Sequence, residues 1–180
     1  MKLAPIIREL RAMCPSLSER VFGVSEFTQI TESMAPAELP AAFVIPLSEE
    51  PEDPATSQRY QQDVTFNFEV VLMVQNTTDE QGLSAWETAV ELKHEIFSAI
   101  LGSDDAGITK RDWIEYRGIR DIERTRAYLL VPIDFACVYR ISDSESRHGY
   151  DIDRLERFLS MHASIDVGSD KPVKAKIEFH

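Results

Sequence analysis

Residues 63–75, DVTFNFEVVLMVQ, limit the possible folds more than any other part of the chain. The even positions Val64, Phe66, Phe68, Val70, Leu72 and Val74 are all apolar. The odd positions start polar at Thr65, Asn67 and Glu69, then turn apolar at Val71 and Met73. Alternation of period two predicts a β-strand with one buried face. A strand this long spans ~40 Å against a usual ~17–20 Å, so it needs a sheet with another strand of similar length. Residues 127–141 supply one. Leu129, Val131, Ile133, Phe135, Cys137, Tyr139 and Ile141 fall on one face, and Leu130, Pro132, Asp134, Ala136 and Arg140 on the other. Pro132 cannot donate to a ladder and predicts an edge position or a bulge. Asp134 is expected to point outward from the mixed face. Val71 and Met73 need a cover too, either a helix of the same chain or a neighbouring subunit.

The remaining pattern places helices around such a sheet. Leu3, Ile6, Ile7, Leu10 and Met13 recur at helical spacing and stop at Cys14-Pro15. Residues 83–101 form a second amphipathic helix. Ala85, Trp86, Ala89, Val90, Leu92, Ile96, Phe97, Ile100 and Leu101 make its apolar stripe, and Glu87, Glu91, His94, Glu95 and Ser98 its polar side. Ser84 and Glu87 are placed as a capping box, and Gly102 as the stop. Short strands are expected at 20–27, 41–47, 112–117 and 119–122, an irregular segment at 28–38, and turns at 76–82 and 102–107. A helical turn is expected at 152–158, with final strands at 161–167 and 173–179. The fold class is α+β: a mostly antiparallel sheet with two long strands, covered by the N-terminal helix and the central helix. Residues 1–180 read as one domain, with an acidic loop at 48–60 and a C-terminal extension at 142–180.

The net charge of −12 is unevenly placed. Residues 21–92 hold 13 acidic residues and one basic residue, Arg59, whereas residues 110–126 hold six bases. Such a region lacks the clustered Lys and Arg that phosphate binding requires. No apolar run reaches membrane-span length, and the N-terminus lacks the apolar core of a signal peptide. Two cysteines, Cys14 and Cys137, form neither a disulfide framework nor metal-ligand spacing, so folding in a reducing compartment is expected.

Motifs for catalysis are not found. His94-Glu95 would begin a zinc-protease motif, but the position one turn on is Ser98. The acidic run from Asp143 has His148 where a calcium loop needs glycine. Glycine-rich phosphate loops and nucleophile elbows are absent, and His94, His148, His162 and His180 are scattered. No enzyme activity, cofactor or metal is assigned. A small α+β enzyme or ligand-binding domain stays open as an alternative, to be recognised by a deep pocket with convergent polar groups.

The order of elements resembles the tail terminator, or tail completion, proteins of long-tailed bacteriophages. The likeness runs over residues 1–141 through LAPIIRELRAMCP, RVFG, LPAAFVIPLSEEP, QQDVTFNFEVVLMVQN, WETAVELKHEIFSAILG and YLLVPIDFACVYRI. It implies a non-enzymatic structural protein of the virion tail, at its neck end, assembled in the host bacterial cytoplasm. The implied partners are other copies of the chain in a hexameric ring in the virion (with a monomer in solution as an alternative), the tail tube protein, and a head completion or connector protein. Such a ring caps the tube, ends its polymerisation and serves head–tail joining, while DNA passes through without specific binding. Another neck or tail ring component, such as a head completion or tail tube protein, is the alternative. A ring needs two different complementary patches, and the acidic region 21–92 of one copy facing the basic stretch 110–126 of its neighbour is one candidate pair. On that reading Arg117, Arg120, Arg124, Arg126, Val71 and Met73 are candidate subunit or tube contacts. Glu49, Glu50, Glu52, Asp53, Glu87 and Glu91 are candidates for an acidic lumen or interface.

Overall fold

The computed structural model describes residues 2–25, 27, 38–55, 60–76, 83–102, 113–147 and 149, and the strand backbone of 160–165 and 173–178. Most of the irregular segment expected at 28–38, of the turns expected at 76–82 and 102–107, and all of the helical turn expected at 152–158 lie outside the described residues. The spine is a pair of fourteen-residue strands, β3 (Gln62–Gln75) and β6 (Tyr128–Ile141). They pair antiparallel along their whole length, from Gln62 opposite Ile141 to Gln75 opposite Tyr128. Their matched alternation holds the register, because a slip of one residue would turn both apolar sets to the wrong face.

The other strands flank this pair. β2 (Ala41–Pro51) runs antiparallel to β3, and β1 (Val21–Gly23) parallel to β2. On the other side β4 (Glu115–Ile119) and β5 (Glu123–Arg124) both pair with β6. The six-stranded sheet therefore has the order β1-β2-β3-β6-β4, with β5 beside β6. β7 (Ser160–Ile165) and β8 (Val173–Glu178) form a separate antiparallel pair. The α+β class and the mostly antiparallel sheet are as the sequence predicts.

Helix α1 (Ala4–Met13) and helix α2 (Ser84–Ile100) both pack on the face of even β3 residues. Ile6 and Leu10 of α1, and Leu92 and Ile96 of α2, join Phe68, Val70, Leu72, Ile133 and Phe135 in one core. Phe68 and Phe135 stack across the β3–β6 ladder with centroids 5.5 Å apart. Side chains join the helices to the rest. Arg11 donates to the Val21 carbonyl at 2.9 and 2.5 Å, and the Ser16 hydroxyl donates to Glu95 at 2.5 Å.

Several local expectations change. The acidic loop is shorter than 48–60, since β2 carries on to Pro51 and the Glu52 and Ala55 N–H groups extend the hairpin onto Asp63 and Gln61. Prolines and acids read locally as loop, but β3 offers a complete backbone partner there, and a bulge between Pro46 and Ser48 absorbs the extra residue. β1 ends at Gly23, short of the predicted residue 27, and the backbone is helical at Val24 and Ser25. Helix α2 starts from Leu83 as N-cap without a side-chain cap, so Ser84 is inside the helix and no capping box forms. Met13 and Trp86 are exposed rather than part of the apolar stripes. Gly102 does end α2, at φ +70, where glycine carries no Cβ penalty.

Pro132 lies in an interior strand, not at an edge. Its carbonyl accepts from the Arg120 N–H at 3.2 Å, so its nitrogen faces the same side, between the end of β4 and the start of β5. The missing donor falls in that gap. A second bulge, between Tyr116 and Gly118, makes Arg117 the extra residue. Gly118 sits there at φ +137, a conformation that side chains rarely adopt.

Candidate functional site

The face opposite the helices is divided along its length. At one end Ala41, Phe43, Val71, Met73 and Leu130 form a second, smaller core. Phe22 stacks on Phe43 at 5.7 Å and Phe27 meets it edge-on at 5.2 Å, with Leu39, Ile45 and Tyr128 around them. Val71 and Met73 are 3% and 1% exposed, and their cover comes from this chain. It is neither helix α2, which packs on the other face, nor a partner. Both therefore belong to this chain's own core; Met73 has almost no surface, and Val71 reaches the surface only at the floor of a groove on this face.

Towards the middle the same face turns charged. Glu69 and Asp134 are direct cross-strand partners in the β3–β6 ladder. Like charges placed so are unfavourable unless a cation sits between them. Arg120 does. It pairs with Asp134 through Nε and reaches Glu69 through Nη2 at 3.5 Å. Both carboxylates are mostly covered, and Asp134 Oδ1 is buried without a hydrogen-bond partner. Burial pushes the Glu69 carboxyl above its ordinary range; Arg120 pulls it back in part, and Asp134 adds to the rise. The hydrogen bond to Asp134 holds the Arg120 guanidinium still more firmly protonated. Asp134, expected to face solvent, is thus the anchor of a half-buried ion triad. Farther along, Arg140 binds Asp63 in two-point fashion at 2.5 and 2.7 Å, another cross-strand pair.

A groove runs over this triad. One part, about 550 Å³, is lined by Leu47, Val71, Leu130 and Pro132, with Glu69, Arg120 and Glu123 at its sides. An adjoining part of about 280 Å³ shares Leu47 and Arg120 and adds Glu50, Asn67, Arg117 and Asp134. Leu47, the bulge residue of β2, is 41% exposed at the junction. Both bulges and the Pro132 gap therefore meet here. Such irregularities re-aim side chains and interrupt pairing, which opens space between strands.

The remaining candidates are dispersed. Arg117 pairs with Glu115 of its own strand at 2.9 Å, both exposed. Arg124 reaches the Asn76 side chain at 3.4 Å, and Arg126 is exposed in the turn before β6. Glu49 and Glu50 point to opposite faces of the sheet, as neighbouring residues of one strand do. Glu49 accepts from the Tyr139 hydroxyl at 3.0 Å, and Glu50 accepts from Asn67 at 3.0 Å. Burial and this hydrogen bond to Glu49 raise the Tyr139 phenol above its ordinary range. Glu52 and Asp53 follow the strand end, exposed, and Glu87 and Glu91 are exposed on α2. The sequence reading paired the acidic region 21–92 with the basic stretch 110–126 of a neighbour. One such contact, Glu69 with Arg120, is instead made within the chain. Glu69, Leu47 and Pro132 were not singled out as site residues. The available signal was that Glu69 and Asp134 interrupt the mixed faces of the two longest strands.

Among the described residues, no three His, Cys, Asp or Glu side chains come together as a metal site, and no helix is long and apolar enough to cross a membrane. Cys14 and Cys137 are buried thiols, and burial together with Glu95 pushes Cys14 up to about 12.

The chain is a helix-backed, mostly antiparallel sheet with a charged groove on its opposite face, and its sequence profile places it among the structural proteins of the bacteriophage tail. The profile of one such family, described as phage tail terminator protein, matches residues 1–146, and the chain belongs to that family. The match takes in the whole six-stranded sheet, both helices and the groove. No curated protein matches the sequence.

Proposed function

We propose that this chain closes the phage tail: copies form a hexameric ring that caps the finished tail tube, stops its polymerisation and offers the surface to which the head joins. The family match over residues 1–146 carries this reading. Its partners are further copies of itself, the tail tube protein, and a head completion or connector protein. It acts without catalysis. DNA passes through the ring unbound, because the acids at Glu49, Glu50, Glu52, Asp53, Glu87 and Glu91 repel phosphate wherever they face the bore. Arg117, Arg124 and Arg126, exposed on or beside the outer strands, are the basic side of a heterologous contact, with Arg120 held mainly by the internal triad.

Electron microscopy of tails assembled with and without the protein tests this. Overlong or headless tails are expected in its absence. Virions of normal tail length and head attachment in its absence would overturn it. Tubes built from the purified protein alone would point instead to a tube component.

A further inference from the structure

Both helices cover one sheet face, and the groove lies on the other. Its floor is apolar, at Leu47, Val71, Leu130 and Pro132, and its sides are acidic. Across its two parts five carboxylates (Glu50, Glu69, Asp121, Glu123, Asp134) face two guanidiniums (Arg117, Arg120), a formal excess of three negative charges, 5 − 2. A segment that fits must be extended, apolar on one side and cationic on the other. One of the described strands has such a sequence. β8, Val173–Glu178, reads VKAKIE, so Lys174 and Lys176 alternate with Val173, Ala175 and Ile177.

β8 is paired with β7. Its register with β7 sets Met161, Ala163 and Ile165 opposite Ile177, Ala175 and Val173, while Ser160, His162 and Ser164 stand opposite Glu178, Lys176 and Lys174. The register therefore matches apolar positions with apolar ones and polar positions with polar ones along the pair. An isolated two-stranded hairpin is at best marginal in water. β7 and β8 form a sheet separate from the six-stranded one, and they lie beyond residue 146, where the family match ends.

We propose that the groove of one copy receives the β8 strand of the next. The apolar positions lie on the floor, and the lysines reach the acidic sides along their flexible stems. The contact is heterologous, groove to hairpin, which is the kind a ring requires; in this respect the inference rests on the ring reading. The charge match fixes which patch meets which more than it adds affinity.

The test uses two full-length variants. One reverses the strand, Lys174→Glu with Lys176→Glu. The other reverses the groove at its exposed sides, Glu50→Lys with Glu123→Lys; Asp121 is left because its φ of +28 would strain a lysine. Chains of natural and heavy isotope content are mixed, and adjacent amines and carboxylates are coupled with a carbodiimide. Mass spectrometry then maps the links. Wild-type chains are expected to give light–heavy links from Lys174 or Lys176 to Glu50, Asp121 or Glu123. Each variant alone loses most of these links, because the amines or carboxylates that form them are replaced by groups of the opposite sign, so the deciding result is the mixture. An equimolar mixture of the two variants regains them, since each strand now meets an opposite groove. Links found only within one chain, or no regain on mixing, overturn the proposal. Electron microscopy of tube ends in the same samples separates the two readings. Capped tubes without these links sink the docking alone, whereas inter-chain links without rings or caps sink the ring.

Discussion

Val70 and Val71 are neighbours on β3, yet they belong to different cores. Val70 faces two helices and a broad layer of aliphatic and aromatic side chains from β6 and β2. Val71 faces a small cluster whose outer members, Phe22, Phe27, Leu39 and Tyr128, are themselves partly exposed. A few residues along the strand, the first face is still apolar at Phe68, while the second has become an ion triad at Glu69. The first face answers to packing density, where each lost methylene leaves a cavity. The second answers to charge balance as much as to packing. A sheet that has finished burying one face and left charged relief on the other is suited to a chain that must also meet other chains.

The sharpest way to break this contrast is to delete one large side chain from each face. Phe68→Ala removes a fully buried ring that contacts Phe66 and Phe135, and a loss of ~3–5 kcal/mol is expected. Typical domains are stable by only ~5–15 kcal/mol, so this variant should be close to unfolding at 37 °C. Met73→Ala empties a similarly buried site on the other face. Its thin cover can collapse into the space, so the loss is expected near ~2 kcal/mol, the low end for such changes. Urea unfolding of both variants decides the matter. Equal losses would mean that the second cluster is as tightly packed as the first, and the contrast would fail.

How much of this was legible beforehand follows the same division. The first face could be read residue by residue, because alternation along 63–75 and 127–141 and the stripe on 83–101 are local patterns. The second face depends on register and on bulges. Nothing near Glu69 in the chain indicates Arg120; they meet only because β6 lies between β3 and the β4–β5 stretch. The continuation of β2 through Ser48, Glu49 and Glu50 was hidden for a related reason. Acids and prolines disfavour strands on their own, and only pairing with residues 64–67 overrides that preference. The absent cap at Ser84 shows a smaller case: helix α2 begins at Ser84, its best capping residue, so the cap position falls one residue earlier, on Leu83.

A change of smaller size tests the triad directly. Burial raises the Glu69 carboxyl above its unfolded value, with Asp134 adding to the rise and Arg120 opposing it. For a carboxyl raised in this way, the folded state binds the proton more tightly than the unfolded one. Its contribution to stability is full below the unfolded value of ~4.3 and is lost as pH rises through the higher folded value. Glu69→Gln keeps the shape and removes the titration. The wild type should therefore lose stability relative to Glu69→Gln between about pH 4 and pH 7. Paired unfolding curves at the two pH values measure it. A wild type that instead gains on the variant as pH rises would show that Arg120 outweighs burial at this site.

The least effect on the fold, and the most selective on assembly, is expected at Glu87 and Glu91. Both are exposed on α2, on the side away from the core, and Glu87 lies in the first turn. Reversing both to lysine forfeits a favourable interaction with the helix N-terminus, costing about 0.3–1 kcal/mol. Because the two are one helical turn apart, the reversed pair still repels itself as the acids do, while the reversal at Glu91 turns its repulsion with Glu95, the next turn on, into an attraction that offsets part of that cost. If this part of α2 faces the bore, lysines there bind the phosphates of passing DNA, and ejection from variant-capped virions becomes slower and dependent on salt. If α2 faces a neighbouring subunit or the outside, ejection keeps its wild-type rate at every salt concentration. The helix-covered face of the sheet then has its helices turned away from the DNA, and the comparison between the two faces gains a direction: inward for one, outward for the other.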